Sequence, residues 1–96
     1  MKFIIKIDPS VFEELEEAVL YYEFQQFELG EKLFTDWENT LEVVSKHPSS
    51  FQKAIGNYRQ ISLKKFPYIL IYELEDNTIS IFRFICSRRD EIKRYK

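Results

Sequence analysis

The chain has 96 residues, of which 45% are hydrophobic and 17% aromatic, and this composition excludes a disordered segment and predicts one domain over residues 1–96. A single cysteine, Cys86, excludes an internal disulfide and a cysteine-based zinc cluster. The apolar stretch before Asp8-Pro9 is too short for a signal peptide or a membrane span. We therefore expect a cytoplasmic protein that needs no metal ion or cofactor.

The formal net charge of -2 conceals an uneven distribution of charge along the chain. Residues 1–50 carry a formal charge of -7 and residues 51–96 carry +5, and all five arginines fall in the second part. Such asymmetry favours an anionic partner for the basic part. The alternative is that the two parts neutralise each other within the fold, since solvated charge is the usual state of a protein surface.

The first elements in chain order are a strand and a surface helix. Residues 2–7 predict the strand, with one face formed by Phe3, Ile5 and Ile7. Pro9 suits the first turn of a helix, and Ser10 with Glu13 three residues later has the pattern of a capping box. Glutamates cover most of the helix that follows, and its one apolar stripe consists of Val11, Leu15, Ala18 and Tyr22.

A second helix is predicted over residues 31–46, where apolar side chains recur at helical spacing: Leu33, Phe34, Trp37, Leu41 and Val44. It ends at His47 because a proline disfavours helical backbone in the residue before it. Trp37 is interpreted as a core residue, since aromatic side chains in such a stripe are mostly packed inside. His47 has no cysteine or acidic pair at ligand spacing and is interpreted as a solvated helix end. The two helices should form a hairpin.

The second part of the chain predicts a hairpin-rich sheet. After a connector over residues 51–57, with room for a short extended piece, strands are predicted at residues 58–64, 67–75 and 78–86. Asp76-Asn77 suits a two-residue turn that pairs Glu75 with Thr78. Alternation from this pair assigns one set of residues to the face that should pack against the helices: Tyr68, Leu70, Tyr72, Leu74, Ile79, Ile81, Arg83 and Ile85. The other face, expected to be partly open, receives Ile69, Ile71, Glu73, Ser80, Phe82, Phe84 and Cys86.

The position of Arg59 is left open by the sequence. The turn before Pro67 leaves either two or three residues unpaired. A shift of one residue moves a strand side chain to the opposite face. Arg59 therefore lies either on the face of Cys86 or on the other face.

Several short motifs, in their order and spacing, resemble the RelE/ParE superfamily of toxins from bacterial type II toxin-antitoxin systems. They are residues 18–23 (Ala-Val-Leu-Tyr-Tyr-Glu), Leu29-Gly30-Glu31 followed by Phe34, His47-Pro48, the strand with Arg59, Phe66-Pro67-Tyr68 with Tyr72, and Arg88-Arg89-Asp90. The resemblance implies an α+β, β-α-α-β-β-β fold, in which an N-terminal helical hairpin packs on a mainly antiparallel four-stranded sheet. It also implies a small cognate antitoxin that binds and neutralises the toxin.

The resemblance implies one of two activities, since RelE-like members cleave mRNA in the ribosome and ParE-like members poison DNA gyrase. By position, Arg59 and Arg88 match basic residues of the family's active face, where arginines would offset phosphate charge. Cys86 stands where many members carry a histidine, and this departure weakens the nuclease interpretation because a neutral thiol is a poor proton donor. Tyr95 either replaces a tyrosine of some nuclease members or belongs to a loose tail.

Contacts with nucleic acid or with acidic residues of the antitoxin are predicted for Arg83, Arg89, Lys64, Lys65, Phe82 and Phe84. The arginine cluster is the feature that most resembles site chemistry. The sequence therefore predicts the toxin of a plasmid-stabilisation type system, with ribosome-dependent mRNA cleavage as the expected activity. Gyrase inhibition and a non-toxic protein that only binds its antitoxin are the alternatives.

Overall fold

The structure, a computed structural model, describes residues 3–87 as a two-helix hairpin packed on a five-stranded sheet. The elements in chain order are β1 (Ile4–Ile7), α1 (Pro9–Gln25), α2 (Leu29–Lys46), β2 (Lys53–Ile55), β3 (Tyr58–Ser62), β4 (Tyr68–Glu75) and β5 (Thr78–Cys86). The strand order is β1-β5-β4-β3-β2, with β1 parallel to β5 and all other neighbours antiparallel. The predicted α+β class is confirmed. No helix in the described part of the chain is long and apolar enough to cross a membrane.

The sheet has five strands rather than the predicted four because part of the predicted connector pairs with β3. Lys53 lies opposite Arg59, and Ile55 lies opposite Tyr58. Gly56 turns the chain between the two strands with a φ of 57°, a left-handed conformation that glycine adopts without steric cost. All residues of β2 are exposed, so no apolar alternation marks this strand in the sequence.

Helix α1 begins with an aspartate cap rather than with the predicted Ser10–Glu13 capping box. The Oδ1 atom of Asp8 accepts hydrogen bonds from the backbone N–H of Ser10 at 2.9 Å and from its hydroxyl at 2.8 Å. These bonds favour the ionised carboxylate and lower the pKa of Asp8. Pro9 occupies the first turn as predicted, where a helix needs no N–H donor.

The two helices are in close contact where α2 begins. A Cβ atom on Gly30 would lie 2.5 Å from the carbonyl oxygen of Val19, so a larger residue would push the helices apart. The Glu23 carboxylate accepts hydrogen bonds from the backbone N–H groups of Glu28 and Gly30, both at 3.0 Å, and so caps α2 from the neighbouring helix. With this cap, α2 starts at Leu29, before the predicted residue 31.

The core lies between the hairpin and one face of the sheet. The predicted stripe of α1 is buried at Val11, Leu15 and Ala18. Trp37 and Tyr72 are 5% and 0% exposed, which confirms their predicted positions. Phe34 does not point inwards as predicted: it is 41% exposed and its ring stacks on Trp37 with centroids 5.7 Å apart. It directly follows the buried Leu33, and a helix turns by about 100° per residue.

The hairpin of β4 and β5 closes with the predicted two-residue turn. Glu75 lies opposite Thr78, and Asp76 has a φ of 55°. Aspartate tolerates this left-handed conformation better than most residues, which is why the turn could be read from the sequence.

The pairing of β4 with β5 shifts by one residue at Phe82. Tyr72 lies opposite Ile81, whereas the preceding residue of β4, Ile71, lies opposite Arg83. Phe82 is thus the extra residue of a β-bulge.

Beyond the bulge the two faces of β5 are exchanged relative to the prediction. Phe84 and Cys86, predicted on the open face, are buried at 2% and 5% exposure. Arg83 and Ile85, predicted to face the helices, are exposed and half-buried respectively. The predicted alternation is wrong over these four residues because one extra residue inverts the phase of a strand.

Candidate functional site

The predicted site residues are distributed over both faces of the sheet and the connection between β3 and β4. The described ones lie on β3 (Arg59), in the β3–β4 connection (Lys64, Lys65) and on β5 (Phe82, Arg83, Phe84). Arg88, Arg89 and Tyr95 lie outside the described residues.

Arg59 faces the helices. It lies opposite Tyr72, whose side chain is in the core, and directly opposed residues of a sheet share a face. The Nη1 atom of Arg59 donates hydrogen bonds to the carbonyl oxygens of Phe51 at 2.7 Å and Ser49 at 3.3 Å. The guanidinium of Arg59 is therefore engaged with the backbone of the segment that follows α2.

Tyr72 holds the same segment from β4. Its hydroxyl donates a hydrogen bond to the carbonyl oxygen of Pro48 at 2.7 Å. Burial raises the pKa of Tyr72 because a phenolate would lose its hydration, and the nearby charge of Arg59 opposes this with a smaller effect. Arg59 and Tyr72 thus act together as a structural clamp on residues 48–51.

Arg83 is held by a glutamate of α1. The Arg83 Nε atom donates to Glu14 Oε2 at 2.9 Å, and Glu14 Oε1 accepts the backbone N–H of Phe84 at 2.9 Å. The pairing of β1 with β5 ends at Ile81, so this carboxylate satisfies a backbone group beyond the end of that ladder. The Arg83 side chain remains 56% exposed and accessible to a partner.

Lys64 and Lys65 are anchored through their backbone. Their N–H groups donate to the two carboxylate oxygens of Asp36 at 3.3 Å and 2.8 Å, and Asp36 itself is 5% exposed. Both lysines are exposed. They line a groove of about 250 Å³ together with Lys32, Asp36 and, on its remaining sides, Glu28, Glu31, Thr35 and Asn39. Lysines and carboxylates are balanced there, so the groove has no clear preference for an anion or a cation.

Phe82 forms an aromatic pair with Tyr58 on the sheet face that points away from the helices. Their rings meet edge to face with centroids 5.4 Å apart, and Tyr58 is 42% exposed. The same face carries three half-buried isoleucines, Ile69, Ile71 and Ile85. We call Tyr58, Phe82 and these isoleucines the open sheet face.

Phe84 lies in the core and not on a surface where it could contact a partner. It is 2% exposed, and its ring stacks on Tyr68 with centroids 4.8 Å apart. The predicted contact role of Phe84 followed from the unbroken alternation of β5, and the bulge at Phe82 removes that basis.

The described residues show little of the chemistry that bond cleavage needs. Within residues 3–87, no histidine or carboxylate forms a hydrogen bond with Arg59. Cys86 shares the face of Arg59 but lies opposite Tyr68, four residues along β4 from Tyr72, which is about 13 Å. No group of three or more metal-ligating side chains occurs in the same part of the chain. This arrangement is suited to binding by charge and apolar contact.

Three carboxylates with defined roles were not among the predicted site residues: Glu14, Glu23 and Asp36. Glu14 acts on a residue 70 positions away and Asp36 on one 28 positions away, and such distances leave no local pattern. Asp36 did carry a signal, because it stands three residues after Leu33 and four before Thr40, on the buried stripe of α2.

Comparison with known proteins identifies similar sequences and folds. The sequence model of one family, described as "ParE toxin of type II toxin-antitoxin system, parDE", matches residues 5–91. No curated protein gives a significant match. The fold is similar to the chromosomal ParDE toxin-antitoxin system from P. aeruginosa, with a TM-score of 0.67 and 14% identity over 90% of this chain and 97% of that chain.

Two RelE structures are also similar in fold. The isolated E. coli RelE toxin has a TM-score of 0.62 and 17% identity over 98% of this chain and 99% of that chain. The archaeal RelE-RelB complex from Pyrococcus horikoshii OT3 has a TM-score of 0.59 and 15% identity over 93% of this chain and 99% of that chain. At such low identity the structural likeness shows only a common fold. Membership of a family is shown instead by the sequence-model match over residues 5–91.

Proposed function

Because the chain belongs to the ParE toxin family of type II toxin-antitoxin systems, we propose that it inhibits DNA gyrase by protein contact and that a cognate antitoxin neutralises it. ParE-like members of the superfamily act on gyrase without cutting nucleic acid themselves, and the family match covers residues 5–91. A gyrase target also agrees with the cytoplasmic location that we expect from the sequence.

The use of the described arginines supports this proposal most directly. Arg59 binds two backbone carbonyls, and Arg83 binds the Glu14 carboxylate. A nuclease needs cations that face the phosphate and a positioned acid and base. Arg59 is turned to the backbone, Arg83 is exposed but paired with a carboxylate, and Cys86 is buried, so the described residues do not present such a set. Inhibition by surface contact needs none of this chemistry.

Ribosome-dependent mRNA cleavage is the second candidate, and it is favoured by basic residues that follow β3 and β5 in the sequence. Lys64 and Lys65 are exposed, and β5 leads within a few residues to Arg88 and Arg89. Four such cations could bind an RNA backbone. Under this alternative, the predicted catalytic pair is Arg59 and Arg88.

We further propose that the cognate antitoxin covers the open sheet face. The similar P. aeruginosa protein belongs to a ParDE system, and the P. horikoshii structure is a RelE-RelB complex. On this chain, Tyr58 and Phe82 offer apolar contacts, and the exposed side of Arg83 can meet an acidic group of the antitoxin.

One induction experiment in bacteria tests both activities. The chain is expressed alone, and DNA supercoiling and mRNA 5′ ends are measured in the same cells. We expect trapped gyrase, DNA breaks and intact mRNA. Cleavage within codons that disappears in Arg88→Ala would instead establish the nuclease. Normal growth, in a host with the native gyrase and ribosome, would indicate a protein that only binds its partner.

Coexpression with the adjacent small reading frame tests the antitoxin. We expect a stable complex that is weakened by Arg83→Glu and by Phe82→Ser, because both changes alter the proposed contact surface. Phe27→Ser is the matched control, since Phe27 is 81% exposed and lies between α1 and α2 rather than on the sheet. Absence of association between the purified components would contradict the proposal that this neighbour is the antitoxin of the chain.

A further inference from the structure

The outer surface of the helical hairpin, formed by α1 and α2, is both strongly acidic and partly apolar. Residues 8–46 contain eleven carboxylates and two lysines, a formal charge of -9. The same hairpin exposes five large apolar side chains, namely Phe12, Leu20, Phe24, Phe27 and Phe34. Phe24 and Phe27 are 88% and 81% exposed. Single exposed apolar residues are ordinary, but several on one surface mark a site of interaction.

Three of these side chains follow one ridge along α1. Phe12, Leu20 and Phe24 are separated by multiples of four residues, with Glu16 between them, and residues at this spacing form a continuous ridge on a helix. At about 100° per residue, Leu20 and Phe24 lie opposite the buried stripe of α1 and point directly away from the core. The ridge is about 18 Å long. We call these four residues the outer ridge.

The carboxylates beside the outer ridge are not used by the fold. Glu13, Glu16 and Glu17 are exposed, and none of them forms a hydrogen bond or an ion pair with a described residue. In contrast, Glu14 and Glu23 on the same helix are bound to backbone N–H groups. The outer ridge is therefore apolar at Phe12, Leu20 and Phe24, is interrupted by Glu16, and is flanked by negative charge that is available to a partner.

We propose that the outer ridge binds an amphipathic helix of a partner protein that carries lysines or arginines beside its apolar residues. Positive charge on the partner is required because Glu13, Glu16 and Glu17 would repel an acidic surface. For the same reason nucleic acid and anionic lipid are disfavoured, and so is a second copy that docks the same ridge by two-fold symmetry. A helix fits better than a strand, since the backbone of α1 is bonded internally and its side-chain ridge fits a groove between the ridges of another helix.

This inference goes beyond the proposed function and does not depend on it. The open sheet face, which we assign to the antitoxin, belongs to the sheet, whereas the outer ridge lies on α1, where Leu20 and Phe24 point away from the core. A partner could occupy each surface independently, whether or not the chain acts on gyrase.

Two synthetic helical peptides of about 18 residues, matched to the length of the ridge, test the proposal on the full 96-residue chain. Both have leucines at helical spacing; one carries lysines at all other positions and the other carries glutamates. Binding is followed by backbone amide shifts. We expect the lysine peptide to bind with a Kd in the range of about 1 to 100 μM and to shift amides of α1, and the glutamate peptide to give no shifts.

Variants of the ridge separate apolar contact from charge. The double substitution Leu20→Gln, Phe24→Gln should lower the affinity of the chain for the lysine peptide by about tenfold or more. Both residues are exposed and glutamine favours helix, so folding should be retained. Ile55→Gln, equally apolar and exposed but on β2, is the matched control and should bind as the unchanged chain does. Glu13→Lys with Glu16→Lys and Glu17→Lys should reverse the preference towards the glutamate peptide.

Several results would overturn the proposal. Equal binding of both peptides, or shifts confined to the sheet, would exclude the outer ridge as the site. Unchanged affinity in the Leu20→Gln, Phe24→Gln variant would mean that the lysine peptide binds by non-specific charge attraction and not by apolar contact with the ridge. Concentration-dependent association of the chain with itself, abolished by the same variant, would assign the ridge to a second copy instead.

Discussion

The hairpin and the sheet use their charged side chains in different ways. Four carboxylates of the helical hairpin accept hydrogen bonds from backbone N–H groups, namely those of Asp8, Glu14, Glu23 and Asp36. On the sheet, Arg59 donates to backbone carbonyls and Arg83 donates to a hairpin carboxylate. Acidic residues therefore complete the ends of helices and strands, and basic residues fasten the segments between them.

This difference decides what the charge asymmetry of the sequence means. Among residues 3–87, one ion pair joins the acidic helical hairpin to the basic sheet, that of Arg83 with Glu14. Direct pairing therefore neutralises only a small part of the charge of the two regions. The other ion pair there, Lys46 with Glu42, lies within α2. The acid excess of the hairpin is thus either bound to backbone or left on its surface. A segment's net charge indicates a partner only after the charges bonded to backbone have been set aside.

The largest loss of stability is expected where the two regions share a core. Trp37 is 5% exposed between the hairpin and the sheet, and Trp37→Ala should lower the free energy of unfolding by about 3 to 5 kcal/mol because it leaves a cavity. Phe34→Ala is the control from the same aromatic stack: Phe34 is 41% exposed, so its loss should cost only about 1 kcal/mol. Chemical denaturation measures both. A Trp37→Ala protein that melts within a few degrees of the unchanged chain would contradict this packing.

A somewhat smaller loss is expected at the buried carboxylate that joins α2 to the sheet. Asp36→Ala should lower the free energy of unfolding by about 3 kcal/mol, because the N–H groups of Lys64 and Lys65 lose a charged acceptor in a buried position. Glu38→Ala, on the same helix but exposed and without such a contact, should stay within about 0.5 kcal/mol. Equal effects of the two substitutions in urea denaturation would show that Asp36 is not an anchor.

The sequence predicted what depends on local pattern and missed what depends on distant contacts. The stripe of Val11, Leu15 and Ala18 repeats at helical spacing, and Asp76-Asn77 has the chemistry of its turn, so both were predictable. The bulge at Phe82 was not, because alternation carries no mark of an inserted residue. One warning was present: strict alternation placed the charged Arg83 on the core face.

The candidate site was less predictable than the fold. Arg59 was selected by its match to the family, but its hydrogen bonds to Ser49 and Phe51 could not be inferred from spacing. Phe82 and Phe84 look alike in the sequence, and only the bulge distinguishes Phe82, which pairs with Tyr58 on the open sheet face, from the core residue Phe84. The apolar residues of α1 that point outwards, such as Phe24, are visible in the sequence, but they lie off the buried stripe, and helical periodicity assigns them no role.

A modest effect is expected where a hairpin carboxylate completes the sheet. Glu14→Ala should cost about 2 kcal/mol, because the N–H of Phe84 loses its acceptor. Glu14→Gln keeps a neutral acceptor and should cost about 1 kcal/mol or less, since the ion pair with the exposed Arg83 contributes little. Amide exchange of Phe84 should rise in the alanine variant. Identical exchange in both variants would mean that the carboxylate does not hold this part of β5.

The smallest effect concerns the clamp from the sheet onto residues 48–51, and pH reveals it. Tyr72 donates to the Pro48 carbonyl, and its pKa is raised above the ordinary 10.0 by burial. A group with a raised folded-state pKa contributes its full stability below the unfolded pKa and loses it as the pH rises through the folded pKa.

The stability of the unchanged chain should therefore fall more steeply above pH 10 than that of Tyr72→Phe, which has no hydroxyl to ionise. At neutral pH, Tyr72→Phe should cost about 1 kcal/mol for the lost hydrogen bond. The two proteins are otherwise identical, so the difference between the two denaturation curves isolates Tyr72. Parallel curves from pH 8 to 11 would contradict the raised pKa of Tyr72, because they would mean that its hydroxyl ionises equally in the folded and the unfolded chain.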